Sequence, residues 1–124
     1  NTNKNKNKHT LTGIYKLKCN DCPSVYIGQT GRSFTTRYTE HIQAIHKTHK
    51  RSNFADHIVN NNHTYTDINT DMEILHIQHK SRKLNTLEQY EIYKQYNTEP
   101  NNMLNEHIPY KSHTLFKTIT NNIS

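Results

Sequence analysis

Gly13-Ile14-Tyr15-Lys16-Leu17-Lys18 and Val25-Tyr26-Ile27-Gly28 decide the fold, with Cys19-Asn20-Asp21-Cys22-Pro23-Ser24 between them. In the first stretch Ile14 and Leu17 are apolar around Tyr15, and the pattern reads as a strand beginning at Leu11 or Gly13. The second is a short strand bounded by Pro23 and Gly28. Paired, they make a hairpin whose loop, residues 19–24, exceeds a tight two-residue turn, and the phenols of Tyr15 and Tyr26 can share one surface. A lone strand tyrosine more often packs against a helix. A tyrosine hydroxyl titrates near about 10, so phenols that do chemistry need neighbours that share their proton.

Working outward, Gly31-Arg32-Ser33 reads as a helix start with Ser33 as N-cap. Phe34, Tyr38, Ile42 and Ile45 recur at helical spacing as a buried stripe, with Arg37 and His41 one turn apart on a neighbouring face. Ser52 caps a shorter helix through Phe54, Ile58 and Val59 that ends in Asn60-Asn61-Asn62. Met72 to Ile77 reads as a third strand with room for a bulge, and Arg82 to Gln95 as a helix carrying Leu84, Leu87 and Ile92. A loop containing Pro100 follows, Met103-Leu104-Asn105 returns to the core, and Leu115, Phe116 and Ile119 allow a short terminal helix. The order of elements predicts an α+β domain: a small, three-stranded, mainly antiparallel sheet flanked by helices.

Residues 1–10 are low-complexity, polar and basic, and read as a flexible linker before a domain over 11–124. Such an opening suggests a piece of a longer polypeptide. The chain has 124 residues, 31% of them apolar, and no tryptophan. A core that thin favours cross-bracing by a metal or a disulfide. Two cysteines three positions apart suit a redox pair or half of a zinc site better than a structural crosslink, in a reducing compartment. No apolar run reaches membrane-spanning length. A formal charge of +6 points to a polyanionic partner, with nucleic acid ahead of membrane, or else to a merely soluble basic surface. Lys47, Lys50, Arg51, Lys80, Arg82 and Lys83 are the backbone-contact candidates.

Cys19 and Cys22 supply two thiolates from one loop, and His57 with His63, or another histidine in place of His63, supply two imidazoles from the end of the second helix. A Cys₂His₂ set of that spacing suits a tetrahedral, structural zinc, which would tie the hairpin to that helix. A redox role lacks the strand–helix context that such pairs need. Glu88 falls at the edge of the apolar stripe of its helix, where a carboxylate needs either a cation or a salt-bridge partner, and Glu91 is the fallback.

Gly13-Ile14-Tyr15, Tyr26-Ile27-Gly28, Arg37, Glu88 and Asn105 together resemble the GIY-YIG nuclease superfamily over about residues 12–106. The cysteine pair resembles, more closely, the endonuclease domain of Penelope-like retroelements. So do the run Tyr26 to Phe34, Arg37, Glu40-His41, Ser52-x-Phe54-Ala55-x-His57 and His63. The resemblance implies a metal-dependent DNA endonuclease with a zinc-braced hairpin. In it Tyr15 activates water with help from His41, and Tyr26 orients the water or holds the phosphate. Arg37 stabilises the developing charge (Arg32 competes for that role), Glu88 binds catalytic Mg²⁺ or Mn²⁺, and Asn105 positions the metal shell or phosphate, if it is not simply a turn residue. The resemblance further implies nicking of chromosomal DNA to leave a 3′-hydroxyl primer, fusion to an upstream reverse transcriptase with its template RNA, and a nuclear location. The alternative is a zinc-stabilised nucleic-acid-binding module that no longer cleaves.

Overall fold

The structure is a computed structural model that describes residues 8–47, 51–79 and 81–106. Strands β1 (Gly13–Lys18) and β2 (Val25–Thr30) form the expected hairpin. Helix α1 (Phe34–His46), helix α2 (Asn53–Asn60) and a four-residue helix α3 (Ile68–Asp71) follow. Strand β3 (Met72–Ile77), helix α4 (Arg82–Thr98) and a 3₁₀ turn (Pro100–Asn102) complete the order. The sheet order is β2-β1-β3 and every pairing is antiparallel.

Strand alternation sends successive side chains of the hairpin to opposite faces. Tyr15 and Leu17 face one core with Phe34, Tyr38, Phe54 and Ile58, under α1 and α2. Ile14 and Ile27 face the other with Leu84 and Ile92 of α4. The sheet is therefore a middle layer between α1/α2 and α4. The bulge expected in β3 appears in its pairing, as a register shift opposite Ile14/Tyr15 of β1.

The helix starts are chemically explicit. Ser33 Oγ accepts from Thr36 N at 3.0 Å and Ser52 Oγ from Ala55 N at 3.0 Å, as their N-cap spacing predicts. The first two amides of α1 are satisfied differently: Phe34 N donates to Leu11 O and Thr35 N to His9 O, each at 3.0 Å. So of the expected linker, the described part is tied to the fold from His9 onward; residues 1–7 lie outside the described residues.

Two expectations need revision, and a third gains detail. His41 is not on a neighbouring face of α1 but inside the core, 1% exposed, while Ile42 and Ile45 are only partly buried. α4 runs past Gln95 to Thr98. Met103 forms a parallel bridge to Val25, and Leu104 N donates to Val25 O at 2.9 Å, so this segment borders β2 as a strand-like edge. The terminal helix around Leu115, Phe116 and Ile119 lies outside the described residues, as do Lys50 and Lys80.

Asp71, which no sequence pattern singles out, is completely buried at the α3–β3 junction. Its Oδ2 accepts from Tyr38 Oη at 2.7 Å and from Thr66 N at 2.9 Å. That pair clamps α1 to the start of β3.

Candidate active site and metal centre

Two glycines make the tyrosine arrangement possible. Gly28 sits directly across from Tyr15, and a Cβ there would overlap the phenol, reaching 2.6 Å from its Cζ. Gly13 has φ +154°, and a Cβ on it would collide with the carbonyl of His76 on β3. Each glycine therefore lets an aromatic ring or a strand lie flat against the backbone. Tyr15 and Tyr26 share the α1 face of the sheet, with ring centroids 6.4 Å apart.

The Tyr15 ring is fully buried, and its hydroxyl is the hub of a side-chain network. It lies 2.8 Å from His41 Nε2 and accepts from Arg37 Nε at 3.3 Å. His41 Nδ1 is 2.6 Å from Ser52 Oγ, the oxygen that also caps α2. Burial pushes the Tyr15 hydroxyl well above its ordinary range, an effect that the nearby Arg37 guanidinium only partly opposes. Burial, reinforced by Arg37, holds the His41 imidazole down at about 3, so it is neutral at physiological pH. The Tyr26 hydroxyl is raised too, again by burial first. Arg37 is oriented by Glu40, at 3.1 Å, and Glu40 also pairs with Arg32 at 2.6 Å. Arg32 is thus spent on the helix surface, whereas Arg37 faces the phenol.

Beside this network, along the edge of β2, opens a cavity of about 600 Å³. Tyr26, Arg37, His41, Ser52 and Glu88 line it, together with Arg51 and Asn105. Tyr15 lies just behind its wall. Glu88 accepts from Gln29 Nε2 at 3.1 Å, and no lysine or arginine nitrogen among the described residues reaches salt-bridge distance of it. Burial raises its pKa despite the Gln29 amide and the more distant Arg37. A half-buried carboxylate that faces a polar cavity without a salt-bridge partner among the described residues could serve as a ligand to a hard divalent ion, which takes few protein carboxylates and completes its shell with other oxygens. Glu91, the fallback, faces elsewhere: it is buried against His76 at 2.7 Å and Lys94 at 3.4 Å, and so already has partners within the protein.

Asn105 has an unexpected occupation. Its Oδ1 accepts from Ile27 N at 3.0 Å and its Nδ2 donates to Ile27 O at 2.8 Å, like a strand partner. It stands at the cavity while its amide latches the chain to β2. Of the basic residues, Arg51 reaches the cavity, where Glu106 pairs with it at 3.4 Å. Arg82 and Lys83 lie with His76 and Gln78 around a separate hollow at the start of α4.

The Cys/His set converges completely. Cys19 Sγ lies 3.2 Å from His63 Nδ1, Cys22 Sγ 3.2 Å from His57 Nε2, and the two nitrogens 3.2 Å from each other. All four donor atoms fall within 4.8 Å of one another. Tetrahedral zinc has edges of about 3.3 Å between nitrogens and about 3.5 Å between sulfur and nitrogen, from bond lengths of about 2.0 and 2.3 Å. The cluster could hold such an ion. Local structure aims the last ligand: Asn62, with φ 54°, reverses the chain after α2. Asn62 N then donates to Val59 O and His63 N to Ile58 O. That double bond is a Schellman motif, and it turns His63 back toward His57. Asp21 accepts from Thr64 N at 2.6 Å and Thr64 Oγ1 at 2.9 Å, fastening the cysteine loop to the residue after His63.

No protein-family model matches this chain, and neither do any curated proteins or solved structures.

Proposed function

We propose that the domain is a GIY-YIG-type, metal-dependent DNA endonuclease whose hairpin is braced by one structural zinc. One observation carries the reading: a buried tyrosine bonded to both a neutral histidine and an arginine, behind a cavity that presents Arg37, Tyr26 and the cation-free carboxylate of Glu88. That combination can take a proton, hold a phosphate and bind a divalent ion within one small space. The net charge of +6 supports a polyanionic substrate.

Proton movement follows from the network. Arg37 leaves its long bond to Tyr15 for the scissile phosphate, which offers it two oxygens in fork geometry. That frees a lone pair on the phenol oxygen. Water attacks phosphorus, forming the new P–O bond as the P–O3′ bond breaks. The water proton goes to Tyr15 as Tyr15 passes its own to His41 Nε2, and the departing 3′-oxygen takes up a proton from solvent. The phenol never has to exist as a free anion, which its burial would penalise; burial opposes the His41 imidazolium as well, and the negative phosphate drawn in by Arg37 offsets that cost. A divalent cation held by Glu88, Mg²⁺ or Mn²⁺, would supply charge neutralisation at the phosphate. Glu40 keeps Arg37 poised, Asn105 fixes the β2 edge, and Arg51 contributes a backbone contact.

The zinc reading and the retroelement reading extend this proposal. The zinc would hold the tyrosine hairpin against α2. Nicking of target DNA to leave a 3′-hydroxyl primer, an upstream reverse transcriptase with its template RNA, and a nuclear location rest on the sequence resemblance to Penelope-like elements. Supercoiled plasmid with Mg²⁺ tests the core claim: wild type should yield open circles and Glu88→Ala should not. Equal background nicking by both would end the nuclease reading.

The complete burial of Tyr15 favours a second reading, a DNA- or RNA-binding module that does not cut. Salt-sensitive DNA binding by wild type with no divalent-dependent nicking would establish it.

A further inference from the structure

The hydrogen-bond inventory around His41 fixes more than its position. The Tyr15 residue is fully buried, and among the described residues the hydrogen-bond partners of its hydroxyl are Arg37 Nε and His41 Nε2. Arg37 Nε–H can only donate, so it occupies a lone pair of the phenol oxygen. The phenol proton then has a single acceptor, His41 Nε2; the opposite tautomer would leave that buried O–H without a partner. A neutral imidazole whose Nε2 accepts must carry its proton on Nδ1. Nδ1–H points at Ser52 Oγ, 2.6 Å away, which at the same time accepts Ala55 N–H at 3.0 Å. Both lone pairs of Ser52 are therefore filled from protein donors. Its own O–H remains unspent at the cavity wall, where Ser52 is a lining residue.

The geometry points to Ser52 as a positioning residue that holds His41 in the Nδ1–H tautomer, the one able to take a proton from Tyr15. The helix cap and the proton acceptor are set by one oxygen. Without that oxygen the Nδ1–H loses its acceptor in turn, so the tautomer that strands the Tyr15 O–H is no longer the costlier one. The imidazole can then move its proton to Nε2, donate to Tyr15 and stop acting as a base. The relevance to cleavage rests on the nuclease reading; the tautomer itself does not.

The test separates the two. Ser52→Gly removes the hydroxyl but keeps a good N-cap residue, so α2 should persist, while Ser52→Thr keeps the hydroxyl. ¹⁵N NMR of imidazole-labelled protein without DNA, with His41 assigned by its absence in His41→Gln, reads the tautomer directly. Wild type and Ser52→Thr should show the Nδ1–H form, and Ser52→Gly should lose it. In plasmid nicking, Ser52→Gly should be slower by about 10- to 100-fold, with rescue by Ser52→Thr. An Nε2–H imidazole in wild type, or an unchanged tautomer in folded Ser52→Gly, overturns the inference. Because the tautomer is read without DNA, an inactive wild type would defeat only the nuclease reading.

Discussion

One hairpin carries two unlike centres. At its loop, Cys19 and Cys22 meet His57 and His63 with four donor atoms turned toward one another. On its face, Tyr15 meets His41, Arg37 and Ser52 with donors and acceptors already matched. The first arrangement is a donor set that could hold a metal ion, which would have to displace the proton that burial keeps on the Cys19 thiol. The second is complete in protein alone, apart from Glu88 at its rim. The difference teaches where each centre should act: the cysteine cluster on folding, the tyrosine pocket on reaction.

The largest effect should therefore come from the cluster. Cys19→Ser, or removal of metal by a chelator, is expected to cost more than about 4 kcal/mol of stability and to unfold the hairpin, because metal binding in such sites is folding free energy. Elemental analysis should find one zinc per chain. A reduced, metal-free sample that melts where the untreated protein does would break the comparison at its root.

Next comes Glu88. Glu88→Ala should lower nicking by about 10²–10³-fold or more, the scale on which a preorganised charge acts. It should leave the melting temperature equal or higher, because a desolvated carboxylate without a cation is relieved. Three residues along the same helix, Glu91→Ala should do the reverse. It strips His76 and Lys94 of a buried partner and should cost about 1–3 kcal/mol, with little change in nicking by the folded protein. A Glu88→Ala loss that tracks destabilisation would reassign Glu88 from reaction to fold.

Gly28→Ala should separate the two centres, because it touches only one of them. The added methyl meets the Tyr15 ring head-on and would have to displace a side chain that is packed on all sides. Overpacking of that kind costs about 1–3 kcal/mol. Nicking should fall with it as the phenol leaves His41, while zinc stoichiometry stays at wild type, since the cluster sits at the other end of the strand.

Much of this was legible in the chain because it was local or periodic. The glycine–tyrosine strands, the serine caps and the cysteine and histidine spacings each state their geometry within a few residues. What stayed hidden was long-range and paired. Ser52 reads correctly as a cap, but its second use, by an imidazole eleven positions earlier, has no periodic signature. His41 sits among helix polar residues in sequence, and only the depth of the Tyr15 hydroxyl explains why a histidine belongs in the core. Asp71 stays invisible because its partner, Tyr38, is on another helix. Asn105 reads as a site residue or a turn residue; that its amide mimics a strand partner of Ile27 appears only once β2 has an edge.

The smallest predicted effect is a slope. His41 faces Tyr15, Tyr26, Arg37, Glu40 and Ser52, and burial holds it at about 3 in the folded protein, whereas unfolded it titrates near its ordinary 6.5. Below that value the unfolded chain takes up a proton that the folded one refuses. His41 therefore leaves stability intact above about pH 6.5 and subtracts from it as pH falls toward about 3. Between pH 7 and 5 the loss should be on the order of 1–2 kcal/mol. The cysteine cluster also weakens in acid, because its thiolates and imidazoles must stay deprotonated to bind metal. Denaturant unfolding of wild type and His41→Gln at both pH values isolates the pocket, since the cluster contributes equally to the two proteins. His41→Gln should be less stable at pH 7, for want of the bonds to Tyr15 and Ser52, yet lose less on acidification. Parallel slopes would mean that His41 is solvated and charged in the folded state, and the division between a folding centre and a reaction centre would fail at the pocket.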